Sequence, residues 1–158
     1  IWVACNGDDR VRVVGADGAL LASLPTGYGS APIGIAAAPG GATVYVTLAG
    51  RGELARFDAV SRQRTGTLAL GPHPRAIAVS GDGSRVLVTR FLSPRDHAEV
   101  WRVNAATLTL SDTLRLPKLG GDVNFDTTAA GRGVPNDLAG IAISPDGRTA
   151  WVAAQKAN

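Results

Sequence analysis

Three stretches of the chain repeat one arrangement of apolar and polar positions. In each, a short run of small apolar residues leads into a turn rich in Gly, Pro or Asp, and a second apolar run follows. Pro145-Asp146-Gly147 is the most regular of these turns. Turns of this composition join adjacent antiparallel strands, so the pattern predicts three copies of a hairpin, whose strands we name A and B. The copies span residues 33–47, 75–89 and 140–153.

The sequence between the first two hairpins predicts two further strands, C and D. Strand C alternates apolar and polar positions, which indicates one face near solvent, whereas strands A and B are apolar on both faces and need cover on two sides. From Ile35 to Ile77 the repeat measures 42 residues. No segment keeps the 3.6-residue period of a helix over three turns, which argues against a doubly wound α/β fold. Strands A to D of the complete copy are predicted at residues 33–38, 43–48, 53–58 and 65–70.

This repeat predicts an all-β fold built from the blades of a β-propeller. A four-stranded antiparallel unit of about 40 residues is typical of a blade. The small Ala36, Ala78 and Ala142 of strand A suit the crowded position nearest the central channel. Closed propellers have about four to eight blades, so we expect a partial arc of about three. Its predicted parts are a blade fragment (1–30), a blade (31–71), a blade (72–116) with an insertion (117–137), and a second fragment (138–158).

Residues 1–4 match strand B of the same unit. This alignment places one large apolar residue of each copy in a single column, and we expect its last member, Trp151, to pack between blades. The column consists of Trp2, Tyr45, Leu87 and Trp151.

The strand–turn–strand copies resemble the repeats of YVTN-type β-propellers. The resemblance rests on Ile-Ala-Ile-Ser-Pro-Asp-Gly-Arg-Thr-Ala-Trp-Val-Ala (141–153) and Thr-Val-Tyr-Val-Thr (43–47), and it extends over nearly the whole chain. The chain departs from the family at Leu48, where the family prefers Asn, and at Leu87, which replaces the tyrosine. The resemblance implies a bacterial periplasmic or extracellular setting. It does not specify a function, because the motif is structural and occurs in binding proteins, enzymes and surface proteins alike.

A second, looser resemblance concerns residues 131–136. This run is similar to YVTN-type propellers that accompany c-type cytochrome or di-haem peroxidase-like domains. It implies haem only in a partner domain outside this sequence, since the chain contains no CxxCH motif. We therefore expect no cofactor within the chain itself, apart from a possible calcium ion.

Composition and charge exclude several functional classes. The net charge is +3, but the sixteen basic residues are scattered singly, which favours a solvated surface over a nucleic-acid interface. The single cysteine, Cys5, excludes an intrachain disulfide, and its place after an apolar strand favours a half-buried structural thiol. No apolar run reaches the ~18 residues that a membrane span requires.

The insertion contains the candidate metal site. Asp122, Asn124 and Asp126 place oxygen side chains at alternate positions, as in the first half of a calcium loop. The run lacks the glycine and the bidentate glutamate that complete such a loop. A polar loop with local Asx turns is the alternative interpretation.

The candidate ligand-binding residues lie in the links between strands D and A and between strands B and C. In a propeller these links emerge on one face around the channel mouth, and loops on such a face commonly contact ligands. The alternative is that these side chains fill rigid, solvated turns. No catalytic residue is assigned, because no nucleophile elbow, P-loop or HExxH motif is present. The candidates are His73, Arg75, Arg90, His97 and Asp137.

These observations predict a non-catalytic binding or interaction scaffold whose channel-mouth loops contact a protein or a small molecule. One alternative is the propeller module of a haem-dependent oxidoreductase, or of a propeller hydrolase or lyase. Another is a structural protein that pairs arcs into rings. The expected partner is the rest of the propeller, from the same chain or from another copy, and neither nucleic acid nor a membrane span is expected.

Overall fold

The computed structural model describes residues 1–118 and 133–157, in which β-strands form four antiparallel sheets. The two central sheets each contain four strands in sequence order and are here called blades 2 and 3. Blade 2 consists of β4 (Pro32–Ala37), β5 (Thr43–Leu48), β6 (Glu53–Asp58) and β7 (Arg64–Ala69). Blade 3 consists of β8 (Pro74–Val79), β9 (Arg85–Arg90), β10 (His97–Asn104) and β11 (Thr109–Pro117).

The two outer sheets contain fewer strands in the described part of the chain. A three-stranded sheet, blade 1, precedes blade 2, and a two-stranded sheet, blade 4, follows blade 3. A short 3-10 helix, Asn6–Asp8, links the first two strands. Blade 1 consists of β1 (Trp2–Cys5), β2 (Arg10–Val14) and β3 (Leu20–Pro25), and blade 4 of β12 (Val134–Ile143) and β13 (Ala150–Ala157).

The predicted fold class, an all-β partial arc of four-stranded propeller blades, is confirmed. In blade 2, β5 and β6 have the predicted bounds, and β4 and β7 lie one residue earlier than predicted. Strand ends shift easily, because hydrogen bonding in a tight link decides which end residue is paired.

The innermost strands of neighbouring blades nearly touch. A Cβ atom on Gly34 of β4 would lie 2.0 Å from the carbonyl oxygen of Arg75 in β8. The buried Thr47 joins the two strands, since its Oγ1 donates to that carbonyl at 2.8 Å and accepts from the Gly34 N–H at 2.8 Å. Thr89 repeats this arrangement one blade later and donates to the carbonyl of Leu138 at 2.8 Å. Hydroxyls at the end of strand B therefore join consecutive blades.

Large apolar side chains fill the spaces between blades. Trp2 of blade 1 packs on Phe57 of blade 2 with ring centroids 5.9 Å apart. Tyr45 of blade 2 lies in one buried cluster with Trp101 of blade 3. The column therefore faces the following blade. Its last member, Trp151, is 59% exposed, because no described sheet covers that face of blade 4.

Several arginines connect blades instead of lying free on a solvated surface, which differs from the expectation for scattered charges. Their guanidinium groups donate to backbone carbonyls of an adjoining blade at 2.9 to 3.2 Å. The chain order of Arg residues gives no sign of this, because the acceptors are distant in sequence. The pairs are Arg56 with Ala105, Arg62 with Leu21, Arg64 with Thr26, and Arg85 with Gly147.

Candidate functional site

The turns at the two ends of the arc differ in their hydrogen bonding. At the A–B end, the Asp82 carboxylate accepts from Ser80 Oγ at 2.5 Å and from the N–H of Ser84 at 3.0 Å. Hydrogen bonds from Ser80 and Ser84 lower the pKa of Asp82 to about 2. Ser144 and Asp146 repeat the arrangement in blade 4. These turns are closed by their own side chains, so they leave few groups for a ligand.

The opposite end, where the B–C and D–A links emerge, is the channel-mouth face. Four of its residues adopt the left-handed conformation although they are not glycine: Asp9 (φ 55°), Ala31 (φ 47°), His73 (φ 57°) and Asp137 (φ 50°). His73 lies four residues before Ile77 and Asp137 four residues before Ile141, so they occupy equivalent positions of consecutive repeats, and the backbone is left-handed at both. No hydrogen bond joins these two side chains in the described residues.

The backbone of Phe91 connects these two positions. Its N–H donates to the carbonyl of His73 at 2.8 Å, and its carbonyl accepts from the N–H of Leu138 at 3.2 Å. The Arg75 guanidinium lies over the Phe91 ring, 4.3 Å from its centroid. Phe91 therefore holds both the link at His73 and the side chain of Arg75. The sequence did not predict this role.

Arg75 also lies at the opening of the channel. The opening has a volume of about 370 Å³ and is bordered by residues from blades 1, 2 and 3. The innermost described strands of these blades, β1, β4 and β8, lie side by side there, so this opening corresponds to the channel mouth of a propeller. The bordering residues are Ala4, Asn6, Pro32, Ile33 and Arg75.

Arg90 and His97, both predicted ligand-face residues, meet at Glu99. Arg90 Nη1 lies 2.8 Å and His97 Nε2 3.1 Å from the two Glu99 oxygens, and His97 Nδ1 lies 2.7 Å from Asp96. The contacts with Glu99 and Asp96 raise the pKa of His97. Burial would raise the pKa of Glu99, but the hydrogen bonds from Arg90 and His97 outweigh it and lower that pKa. The acidic and basic side chains of this cluster neutralise one another. The cluster therefore mainly stabilises the B–C link of blade 3.

A second cleft lies between blade 3 and the first residues of blade 4. Asn136 Oδ1 accepts from the N–H of Ser93 at 2.8 Å, and Ser93 Oγ donates to the carbonyl of Pro135 at 2.6 Å. Arg95 and Lys118 border the same cleft, whose volume is about 280 Å³. The predicted calcium ligands, Asp122, Asn124 and Asp126, lie outside the described residues. Within residues 1–118 and 133–157, no group of three or more His, Cys, Asp or Glu is placed to hold a metal ion.

The link between blades 1 and 2 is held by Asp9. Its carboxylate accepts from the N–H groups of Gly29 and Ala31, each at 2.8 Å, and these bonds lower the pKa of Asp9. Ser30 Oγ, which also contacts the carboxylate, is fully buried. This fixed link presents Tyr28 with its side chain 100% exposed.

Comparisons with known proteins support the β-propeller fold. No family model and no curated protein sequence matches the chain. Hydrazine synthase from Kuenenia stuttgartiensis is similar over 80% of this chain and 30% of its own, with 24% identity and a TM-score of 0.62. Dihydro-heme d1 dehydrogenase NirN in complex with DHE is similar over 97% of this chain and 29% of its own, with 22% identity and a TM-score of 0.68.

A third structure, virginiamycin B lyase from Staphylococcus aureus, is similar over 96% of this chain and 44% of its own, with 17% identity and a TM-score of 0.65. The chain therefore spans less than half the length of these three proteins. Among the described residues, no helix has the length and apolar character needed to cross a bilayer.

Proposed function

We propose that the chain is a binding module of a β-propeller and that its ligand or partner contacts the channel-mouth face. The observation that carries the proposal is the position of Arg75 at an opening shared by three blades, held over Phe91. The A–B turns, by contrast, are closed by their own Ser and Asp side chains. Among the described residues, the channel-mouth face therefore offers donors to a ligand, and loops on such a face commonly contact ligands.

Tyr28 supports contact with a partner on the same face. It is fully exposed, yet its link is fixed by the Asp9 carboxylate and the buried Ser30. A rigidly presented tyrosine offers a large contact area at low entropic cost, which is why tyrosine is enriched where proteins bind partners.

The wider assignment is part of the same proposal. Membership of the YVTN type, a bacterial periplasmic or extracellular location, and completion of the ring by blades from the same chain or another copy agree with the repeat pattern. The chain covers less than half of each of the three structural neighbours. This supports a whole propeller with more blades than the four described sheets.

The test is a thermal-shift screen of small acids, sugars and peptides, followed by mapping of each hit through backbone amide chemical shifts. We expect the perturbed amides to cluster around Asn6, Arg75 and Phe91 and to leave Asp82 and Asp146 unchanged. Hits that map instead to the A–B turns or to the flanks of the blades contradict the proposal.

A second candidate is the propeller module of an enzyme. It is supported by the names of the neighbours, which include a dehydrogenase in complex with DHE and a lyase. A haem titration followed by absorbance tests the oxidoreductase version, and turnover of a panel of esters and lactones tests the hydrolase or lyase version. A linear, non-saturating haem signal together with no turnover removes this candidate.

A further inference from the structure

We propose that Arg75 and Asn6 bind an oxyanion group, the carboxylate or phosphate of a small ligand, at the channel mouth. This inference rests on the proposed function, since it names the ligand class for the same face. It is carried by a cation that is held over an aromatic ring and whose hydrogen-bond donors are used by none of the residues that the structure describes.

The guanidinium of Arg75 is fixed by contact with an aromatic ring. It lies 4.3 Å from the centroid of the Phe91 ring. This cation–π contact stabilises the positive charge without using any N–H donor. No carboxylate lies within 4.0 Å of Arg75, and its side chain donates no hydrogen bond, in the part of the chain that the structure describes. Five donors in a planar fork therefore remain for a ligand.

Other arginines of the chain show the contrast. Arg90 and Arg102 pair with Glu99 and Asp112, and a further set donates to backbone carbonyls of neighbouring blades. Arg75 has neither kind of partner among the described residues, although it belongs to an inner strand at the centre of the arc. Arg75 differs from Arg148, which is exposed and likewise unpaired in the described part of the chain, because Arg75 is held over Phe91 and borders the opening. Its donors are therefore presented where a ligand can reach them.

Phe91 is itself held in place by the backbone. Its N–H donates to the carbonyl of His73, in the link before β8, and its carbonyl accepts from the N–H of Leu138 in β12. These bonds fix the backbone from which the ring extends toward the guanidinium. Pre-organisation of this kind lowers the entropic cost of binding.

The surroundings of Arg75 favour an anion. The opening is bordered by Ala4, Pro32 and Ile33 together with Asn6, and none of these carries a negative charge. The exposed amide of Asn6 adds two more donors on the blade 1 side. Carboxylates and phosphates match the arginine fork because they accept two parallel hydrogen bonds. The opening, about 370 Å³, is shallow and faces solvent, so it suits a small anion that reaches the guanidinium from outside.

The test is an NMR titration of the 158-residue chain that follows the side-chain Nε–Hε resonance of arginine. Sodium acetate and inorganic phosphate are added separately while chloride keeps the ionic strength constant, so the two arms distinguish carboxylate from phosphate. We expect a saturable shift of the Arg75 resonance with at least one of them. Phe91→Leu is expected to weaken binding roughly tenfold, because the charge-assisted contacts lose their alignment.

Two arginine variants complete the design. Arg75→Gln is expected to abolish saturation of the amide shifts around Asn6. Arg148→Gln removes the same charge from an exposed turn at the A–B end and is expected to bind as the wild type does. Amide spectra of both variants, compared away from the site, show that the fold is retained.

Two results overturn the inference. One is the absence of any saturable shift up to on the order of 100 mM anion, beyond the range of useful affinity. The other is equal binding by Arg75→Gln and the wild type. If uncharged compounds still map to the channel-mouth face in either case, the proposed function stands and only the oxyanion assignment fails.

Discussion

Replacement of Thr47 by valine tests whether strand-B hydroxyls join the blades. Valine has nearly the same shape, so the change removes the hydroxyl and leaves the packing intact. Thr47 is 0% exposed, and its Oγ1 makes 2.8 Å hydrogen bonds with both the Arg75 carbonyl and the Gly34 N–H. Valine leaves both backbone groups without these partners.

The magnitude follows from the two unpaired groups. An unsatisfied buried donor or acceptor costs about 1–3 kcal/mol. Both groups here are only partly buried, so the lower part of the range applies to each, and we expect Thr47→Val to lower the free energy of unfolding by about 2–3 kcal/mol. Thr47→Ser retains the hydroxyl and loses one buried methyl group, which predicts a loss of about 1 kcal/mol.

Equilibrium unfolding in urea measures these differences. The control is Thr67→Val, because Thr67 is exposed on the outer strand of blade 2, and we expect a change within about 0.5 kcal/mol. The reasoning is refuted if Thr47→Val is as stable as the wild type, or if the serine and valine variants lose equal stability.

Three further predictions use other described contacts. Gly34→Ala forces a Cβ atom to 2.0 Å from the Arg75 carbonyl and is expected to cost about 1–3 kcal/mol in urea unfolding; Gly140→Ala meets its nearest atom at 3.4 Å and should be nearly neutral. The pKa of Asp82 is lowered from 3.8 to about 2, so its contribution to stability is complete above pH 4 and is lost as the pH falls toward 2. Asp82→Asn should flatten this part of the curve of stability against pH. An unchanged curve contradicts the assignment. The pKa of His97 is raised above its ordinary value of 6.5, so its contribution to stability is complete below pH 6.5 and is lost as the pH rises through the raised pKa. An NMR titration of the imidazole ring protons measures that pKa, and an ordinary value argues against the Glu99 contact.

Much of the fold was predictable because it depends on local repetition. The turn chemistry of Pro145-Asp146-Gly147 and the alternation in strand C are short-range signals, and they predicted blades that the structure confirms. The threonine contacts had a visible sign as well, since Thr47 and Thr89 recur at the same position of strand B. Their partners were not predictable, because the acceptors lie on another blade.

The candidate site was predicted only as a set of residues on one face. Arg90 and His97 are brought together by Glu99, which the sequence reading did not select because it follows an ordinary alternating pattern in β10. The contact between Arg75 and Phe91 also depends on how two links fold, not on spacing within one. Side chains in links lack periodicity, so sequence places them on a face without giving their partners.

The arginine contacts between blades have a consequence for how such a protein changes over evolutionary time. Arg56, Arg62 and Arg85 donate to backbone carbonyls, which every residue possesses. An adjoining blade can therefore accumulate substitutions without removing the acceptors. When a gene segment that encodes one blade is duplicated, the copy includes the arginines that donate to the next blade. The new neighbouring blade supplies backbone carbonyls as acceptors, whatever its side chains are.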